Sequence, residues 1–314
     1  SVHAAGVVIA DKPLTNYVPI QHVKDDSGLV TQYSMYDLEA IGLVKMDFLG
    51  LANLTIIEKT LEIIKATKQI SINPIDIPLD DARTYKLLSR GESSGVFQLE
   101  SDGMKRYLKE LKPTEIGDII AMVALYRPGP MELIPDYIAG KHGTKKVTYL
   151  HPKLEPILQE TYGIAVYQEQ IIQIARDLCG FSYGEADLLR KAIGKKLKEL
   201  LLEQRIKGVE KGIERGISKA LAEKLFDFVE PFARYGFNKA HATSYGIISY
   251  QTAYLKTHYS SQFMAAWLTS ETSRDMDKVS FALQECERMG ISVLPPDVNE
   301  SFADFGVIPN PSQA

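Results

Sequence analysis

Cysteine and long hydrophobic runs are both scarce in this sequence. Only Cys179 and Cys286 occur among 314 residues, which excludes a disulfide framework and predicts buried free thiols in a reducing compartment. No apolar run reaches the length of a membrane span, and the first residues carry no signal-peptide pattern. We therefore expect a cytoplasmic protein with no membrane partner.

Several motifs of enzyme chemistry are also missing. No Gly-x-x-x-x-Gly-Lys-Ser/Thr loop and no Gly-x-Ser-x-Gly elbow occurs, which argues against a P-loop ATPase and an α/β-hydrolase. No histidine stands at zinc-ligand spacing from a cysteine or glutamate, so a zinc site is not expected. The chain starts with Ser1 rather than Met, and we expect a fragment of a longer protein.

Charge is distributed unevenly along the chain. The net charge is −4, whereas a small autonomous DNA-binding domain is usually basic. The segment 190–198 nevertheless carries five basic residues and no acidic one. A basic segment on an acidic body is typical of an enzyme with a phosphate-binding cleft.

Hydrophobic periodicity predicts an α+β fold that is mostly α. Residues 7–10 and 43–49 have the composition of buried strands, and the helical period dominates after them. We expect residues 1–52 to form a small β-containing domain and residues 53–300 a large helical one. Residues 301–314 are expected to be the cut end of a following region.

The helical part shows both apolar stripes and capping residues. Spacing from Leu54 to Ile64 predicts its first helix. Asp80 or Asp81 is expected to cap the next helix and Thr114 a later one, because short polar side chains accept hydrogen bonds from free N–H groups. Further helices are predicted over residues 166–179, 184–193, 197–215, 218–233, 240–258 and 275–289.

The strand candidate around residue 45 separates charged and apolar side chains. Strand side chains alternate between faces, so Lys45 and Asp47 share one face. Val44, Met46 and Phe48 share the other face and are expected to pack beneath helices. A carboxylate beside an ammonium suits a metal and phosphate site, but a strand-end salt bridge is the alternative.

A second candidate site lies where a Gly-containing turn, beginning at Tyr235, precedes a predicted helix. Lys239, His241 and Tyr245 stand at the start of that helix, and the last two share one face. Helix starts bind anions because free N–H groups and the positive dipole end point outward. Lysine and histidine there suit phosphate. The alternative is a tight turn that caps an ordinary core helix.

Segments spread from Ser1 to Asn299 resemble bacterial family C replicative DNA polymerases, the family of DNA polymerase III alpha subunits. The resemblance implies the C-terminal part of the palm followed by the fingers. The main segments are residues 44–51, 95–104, 124–131, 161–170, 187–196 and 235–256.

The resemblance implies nucleotide transfer from a deoxynucleoside triphosphate (dNTP) to a primer 3′-hydroxyl with two Mg²⁺ ions. Asp47 matches one of three metal-binding carboxylates, and Lys45 matches a lysine at the incoming triphosphate. The family's other two aspartates stand on a Pro-Asp-x-Asp-x-Asp strand, which this sequence lacks. The fragment is therefore expected to hold part of the active site and to be inactive alone.

The basic segment acquires a role from the same resemblance. Arg190 and Lys191 match an Arg-Arg pair that contacts the incoming triphosphate, although lysine loses the bidentate fork. A solvated basic helix face is the alternative. The remaining candidates for dNTP binding are Lys195, Lys239, His241 and Tyr245. Implied partners are primer-template DNA and, through regions outside this chain, a sliding clamp, an exonuclease subunit and a clamp loader.

Other interpretations remain open at this stage. A non-catalytic helical module that binds nucleic acid or protein is the rival from another class, with Asp47 structural, and an error-prone paralogue shares the polymerase chemistry. Arg127 is either a phosphate contact or a structural arginine, and His3 is favoured as structural. Buried hydrogen bonding is favoured for Gln98, Glu100, Gln168 and Glu169, and a core position for Tyr250, Tyr254 and Trp267.

Overall fold

The computed structural model describes residues 3, 5–23, 28–194, 197–233, 235–272, 275–299 and 301–308. The chain divides into two compact units, Ser1–Ala52 and Asn53–Ala314. Strands occur in the first as two small sheets, and the second is built from helices. The predicted α+β fold, mostly α, is confirmed.

Within its described residues, the first unit contains two antiparallel strand pairs and one short α-helix. Strand β1 (Gly6–Ile9) pairs with β4 (Val44–Asp47), and β2 (Ile20–His22) pairs with β3 (Leu29–Thr31). Helix α1 (Met35–Ala40) begins with a capping box. Both predicted strands are therefore present. The buried residues of this small core are Val18, Leu38 and Leu43.

One face of the β1–β4 pair is apolar and exposed. Val7 stands opposite Met46 and Ile9 opposite Val44, and all four side chains are exposed, as is Phe48. The prediction that Val44, Met46 and Phe48 pack beneath helices is wrong. The core of the unit lies on the other face, where Val8 packs against it.

The second unit contains thirteen α-helices in its described residues, and each predicted helix is among them. The helices are α2 (Ala52–Lys68, whose first residue belongs to the first unit), α3 (Ala82–Ser89), α4 (Asp102–Leu111), α5 (Ile116–Leu125), α6 (Ile134–Lys141), α7 (Glu155–Leu158), α8 (Gln168–Asp177), α9 (Tyr183–Gly194), α10 (Lys198–Glu214), α11 (Lys219–Ala233), α12 (Lys239–His258), α13 (Ser260–Thr272) and α14 (Met276–Arg288).

The predicted caps are correct in one case and wrong in the other. Asp81 caps α3 by accepting a hydrogen bond from Thr84 N at 2.7 Å. Helix α5 is capped one residue after Thr114, at Glu115. The buried Asp118, in the first turn, accepts hydrogen bonds from the N–H groups of Thr114 and Glu115, as the acidic residue of a capping box does.

Helix α12 runs through the main core and packs closely against α5. A Cβ at Gly246 would lie 2.8 Å from Ile120 Cγ1, so only glycine permits this approach. Tyr250 is fully buried on the same helix and accepts a hydrogen bond from Asp81 N at 3.0 Å. This packing fixes the axis of α12, and thereby the place of its first turn.

Two further cores complete the helical unit. One joins α8, α9 and α11 around Ile174, Leu189 and Phe226, and the other joins α2, α13 and α14 around Phe263 and Trp267. Both cysteines are buried free thiols, as predicted, and burial raises the pKa of each to about 11. In the part of the chain that the structure describes, no helix is long and apolar enough to cross a membrane.

Candidate functional site

The end of β4 brings a carboxylate, an ammonium and an imidazole together. Lys45 Nζ donates a hydrogen bond to Asp47 Oδ1, and His3 Nδ1 lies 3.3 Å from the same oxygen. Gly6 stands opposite Asp47 in the register, and a Cβ there would lie 2.8 Å from Lys45 Cε. Glycine therefore leaves the space that the three side chains share.

Electrostatics keep Asp47 ionised. The hydrogen bond from Lys45 lowers the pKa of Asp47, and the charge of Lys45 adds to the effect. Because the side chain is also exposed, the carboxylate is an accessible anion at neutral pH. It can exchange the ammonium for another cation.

The donor set at this position fits one ligand of a Mg²⁺ site. Mg²⁺ is usually held by one or two carboxylates together with water and substrate phosphate. Asp47 supplies one such carboxylate. Across the described ranges, no group of three or more His, Cys, Asp or Glu side chains could hold a metal ion. Among the described residues, Asp47 is therefore a candidate carboxylate ligand that stands outside any complete metal cage.

The first turn of α12 already contains its own anion. Asn238 is the N-cap, and its Oδ1 accepts from His241 N at 2.8 Å. The carboxylate of Glu169 accepts from Lys239 N and from Asn238 Nδ2, each at 2.9 Å. The expectation that free N–H groups await an anion here is therefore wrong for the N–H groups of Lys239 and His241.

The side chain of Lys239 is paired but accessible. Its Nζ donates to both carboxylate oxygens of Glu160, at 2.8 and 2.7 Å. The two side chains retain 40% and 44% of their exposure, so water screens the pair and its stabilising effect is small. A ligand with more negative charge can therefore compete with Glu160 for this lysine.

An aromatic row extends along α12 from its first turn. The His241 ring lies 5.3 Å from the Phe237 ring and 4.2 Å from the Tyr245 ring. Tyr245 in turn lies 5.1 Å from Phe97. His241 and Tyr245 share one face as their spacing predicts. Phe97 and Phe237 were not predicted as members. Phe97 reaches Tyr245 from a distant segment, and no local pattern indicates that contact. Phe237 stands only four residues before His241, so its spacing was a signal that could have been used.

The basic segment on α9 makes fewer described side-chain hydrogen bonds than the first turn of α12. Arg190 Nε donates to Asp187 Oδ1 at 2.7 Å, and Lys191 is exposed. Lys195, the third predicted phosphate contact here, lies outside the described residues. Arg190 pairs with Asp187 and Lys239 with Glu160, so these two predicted cations are held by different carboxylates.

Several open interpretations are decided by burial. Tyr250 and Trp267 are core residues. Gln168 Nε2 donates to Gly236 O at 3.0 Å, and the Glu169 carboxylate accepts from Lys239 N, so the predicted hydrogen bonding is confirmed for both, although each side chain is half-buried rather than buried. Gln98 and Glu100 are exposed, and the prediction of burial is wrong for both. In this short loop the alternate residues Phe97 and Leu99 are buried instead.

Two family models match the chain. One, described as the bacterial DNA polymerase III alpha subunit finger domain, matches residues 53–216, which is more than half of the chain. The other, described as the bacterial DNA polymerase III alpha NTPase domain, matches residues 1–50.

Curated relatives are similar over almost all of the chain. A DNA polymerase III subunit alpha from Thermus aquaticus is 53% identical over 98% of this chain, and one from Halalkalibacterium halodurans is 52% identical over 97%. One from Aquifex aeolicus is 48% identical over 98%. The chain spans only 26–27% of the length of these relatives. The chain belongs to the bacterial DNA polymerase III alpha subunit family.

Proposed function

We propose that this chain is the C-terminal palm segment and the fingers of a replicative DNA polymerase that transfers nucleotides from dNTPs to a primer 3′-hydroxyl. Residues 1–52 are assigned to the palm, 53–300 to the fingers and 301–314 to the end of a following region. The observation that carries the proposal is the family match across both units, together with an ionised, accessible Asp47 beside Lys45.

Asp47 is assigned as one carboxylate ligand of Mg²⁺. Bound Mg²⁺ would supply charge stabilisation at the transferred phosphoryl group. Asp47 would hold the metal ion, and Lys45, which donates to Asp47 in this structure, would then be free to neutralise triphosphate oxygens. The family's other two aspartates find no match in this sequence, so the fragment alone is expected to be inactive.

The fingers are assigned to hold the incoming dNTP. Lys239 is accessible and Arg190 lies beside an exposed carboxylate, so both can turn to a triphosphate. Lys191 and Lys195 add charge on α9, and His241 and Tyr245 present rings from α12. Phosphoryl transfer depends mainly on positioning and charge stabilisation, which suits such cations. Primer-template DNA and, through other regions, further replicase subunits are the proposed partners in the cytoplasm.

The test is primer extension by the intact polymerase carrying Asp47→Asn. The neutral amide is a poor Mg²⁺ ligand, so extension should be abolished while primer-template affinity is retained. Asp11→Asn is the control, because Asp11 is an aspartate of the same unit that accepts a hydrogen bond from Tyr17 instead. Near-normal extension by Asp47→Asn would overturn the proposal and favour the non-catalytic binding module.

A further inference from the structure

Arg127 connects two segments that are far apart in sequence. Its Nε donates to Ala124 O at 2.9 Å, at the end of α5, and its Nη2 donates to Tyr235 O at 3.1 Å. The guanidinium also lies 4.1 Å from the centre of the Phe237 ring. Two donors and one face of this side chain are therefore committed to the chain itself.

The loop that carries Arg127 is rigid. Pro128 and Pro130 restrict its backbone, and Gly129 adopts a positive φ of 102° between them. A Cβ at Gly129 would lie 2.4 Å from Tyr235 Cε1, so the Tyr235 ring packs directly on the glycine. The loop thus offers a fixed surface to residues 235–238, the segment that precedes α12.

The same segment is held from its other side. Phe237 N donates to Val166 O at 3.1 Å, and Gln168 N donates to Phe237 O at 2.9 Å. Gln168 also donates from its side chain to Gly236 O, and the Glu169 carboxylate caps Lys239 N. Residues 235–238 are therefore clamped between the Arg127 loop and the start of α8.

We propose that Arg127 is a positioning residue that fixes residues 235–238 and so places Lys239, His241 and Tyr245 for nucleotide binding. The proposal rests on the proposed function, since it needs that site to bind a dNTP. Positioning is favoured over direct phosphate contact because Nε and Nη2 already donate to backbone carbonyls and one face of the guanidinium covers the Phe237 ring. The side chain is half-buried, and this burial lowers the pKa of Arg127.

The experiment uses Arg127→Lys in the intact polymerase, because lysine keeps the charge but loses the planar fork and the stacking face. The apparent Kd for dNTP in single-turnover incorporation should rise about tenfold to a hundredfold, as expected for a misplaced site. Primer-template affinity should not change. In the nucleotide-free enzyme, hydrogen exchange at the amides of Gln168, Phe237 and Lys239 should become clearly faster.

Arg176→Lys is the control, since the Arg176 guanidinium stacks 3.5 Å from the Tyr183 ring centre but touches no residue of the 235–238 segment through a described contact. It should leave both the Kd and those three amides unchanged.

If Arg127→Lys loses its helical circular dichroism, Phe237→Leu is the second variant. It removes the ring beneath the guanidinium, but that ring also lies beside His241, so amide exchange rather than the Kd decides the outcome. Exchange at Gln168 and Lys239 should become faster, by less than in Arg127→Lys.

The outcomes separate the two proposals. A raised Kd with unchanged amide exchange would identify Arg127 as a direct phosphate contact and overturn the positioning role. If neither the Kd for dNTP nor the amide exchange changes, Arg127 has no role in nucleotide binding and the proposal is wrong. Faster exchange in an enzyme whose wild type binds no dNTP would instead overturn the proposed function while leaving the clamp itself intact.

Discussion

Two lysines on α12 differ in exposure although each pairs with a carboxylate. Lys239, in the first turn, pairs with Glu160, and the side chains keep 40% and 44% of their exposure. Lys256, near the last turn, pairs with Glu285, and those side chains keep 0% and 6%. Both lysines contact a carboxylate, but only Lys239 can reach a ligand from solvent.

The surroundings of Lys256 explain why it is structural. Its Nζ donates to Glu285 Oε1 at 2.6 Å and to the backbone carbonyls of Glu92 and Ser94 at 2.9 and 2.8 Å. These bonds join α12 to α14 and to the loop after α3. A buried ammonium needs all three partners because desolvation is costly. Burial, rather than the presence of an ion pair, therefore separates the structural lysine from the candidate ligand-binding one.

The largest expected effect is on stability, from Lys256→Met. The change leaves two carbonyls without a donor and removes one partner from Glu285, so the free energy of unfolding should fall by about 3 kcal/mol. Denaturant unfolding of the helical unit, followed by circular dichroism, measures it. Lys239→Met is the matched variant and should cost less than about 1 kcal/mol, as exposed pairs do. Equal losses of unfolding free energy for Lys256→Met and Lys239→Met would contradict the distinction between a buried and an exposed lysine.

The buried pair should also make stability depend on acid. Burial acts to raise the pKa of Glu285, but hydrogen bonds from Arg288 and Lys256 outweigh it and hold that pKa below the ordinary value of 4.5. The carboxylate therefore stabilises the fold at neutral pH, and this contribution is lost as pH falls below 4.5 and through the folded-state pKa.

Unfolding at a series of pH values from 7 to about 3 tests this dependence. Glu285→Gln should be less stable than wild type at neutral pH, and its stability should fall less steeply in acid. If the two pH profiles run parallel, Glu285 is not the group responsible.

The smallest expected effect on stability comes from a change in the exposed pair of Lys239 and Glu160. Glu160→Gln removes the charge that holds Lys239, at a cost below about 0.5 kcal/mol. Because the lysine no longer has to leave a carboxylate, the apparent Kd of the polymerase for dNTP should fall severalfold at low salt and less at high salt. A higher Kd would instead show that Glu160 helps to position Lys239.

Local sequence patterns predicted the elements that depend on neighbours in sequence. The cap at Asp81 and the start of α12 beside Lys239 both follow from short-range chemistry, and the structure shows both. Helix α13 was not predicted because residues from Gln262 to Leu268 are all buried. A helix buried on every side has no polar face, so the amphipathic period is absent.

The sequence could not show which groups occupy the first turn of α12. Glu169 reaches Lys239 N from another helix, and no spacing rule links residues 70 positions apart. The same limit applies to Arg127, whose contact with Tyr235 is made across 108 positions. Strand alternation placed Lys45 and Asp47 on one face correctly, but it could not show that the apolar face of β4 would be exposed.

We propose that the side chain of Lys239, in the first turn of α12, binds the triphosphate of the incoming dNTP. The most direct measurement is the apparent Kd for dNTP in single-turnover incorporation by the intact polymerase carrying Lys239→Met, with the exposed Lys224→Met on α11 as control. We predict an increase of about tenfold, which corresponds to about 1.4 kcal/mol, for Lys239→Met and no change for Lys224→Met. An unchanged Kd for Lys239→Met in a normally folded enzyme would contradict the claim.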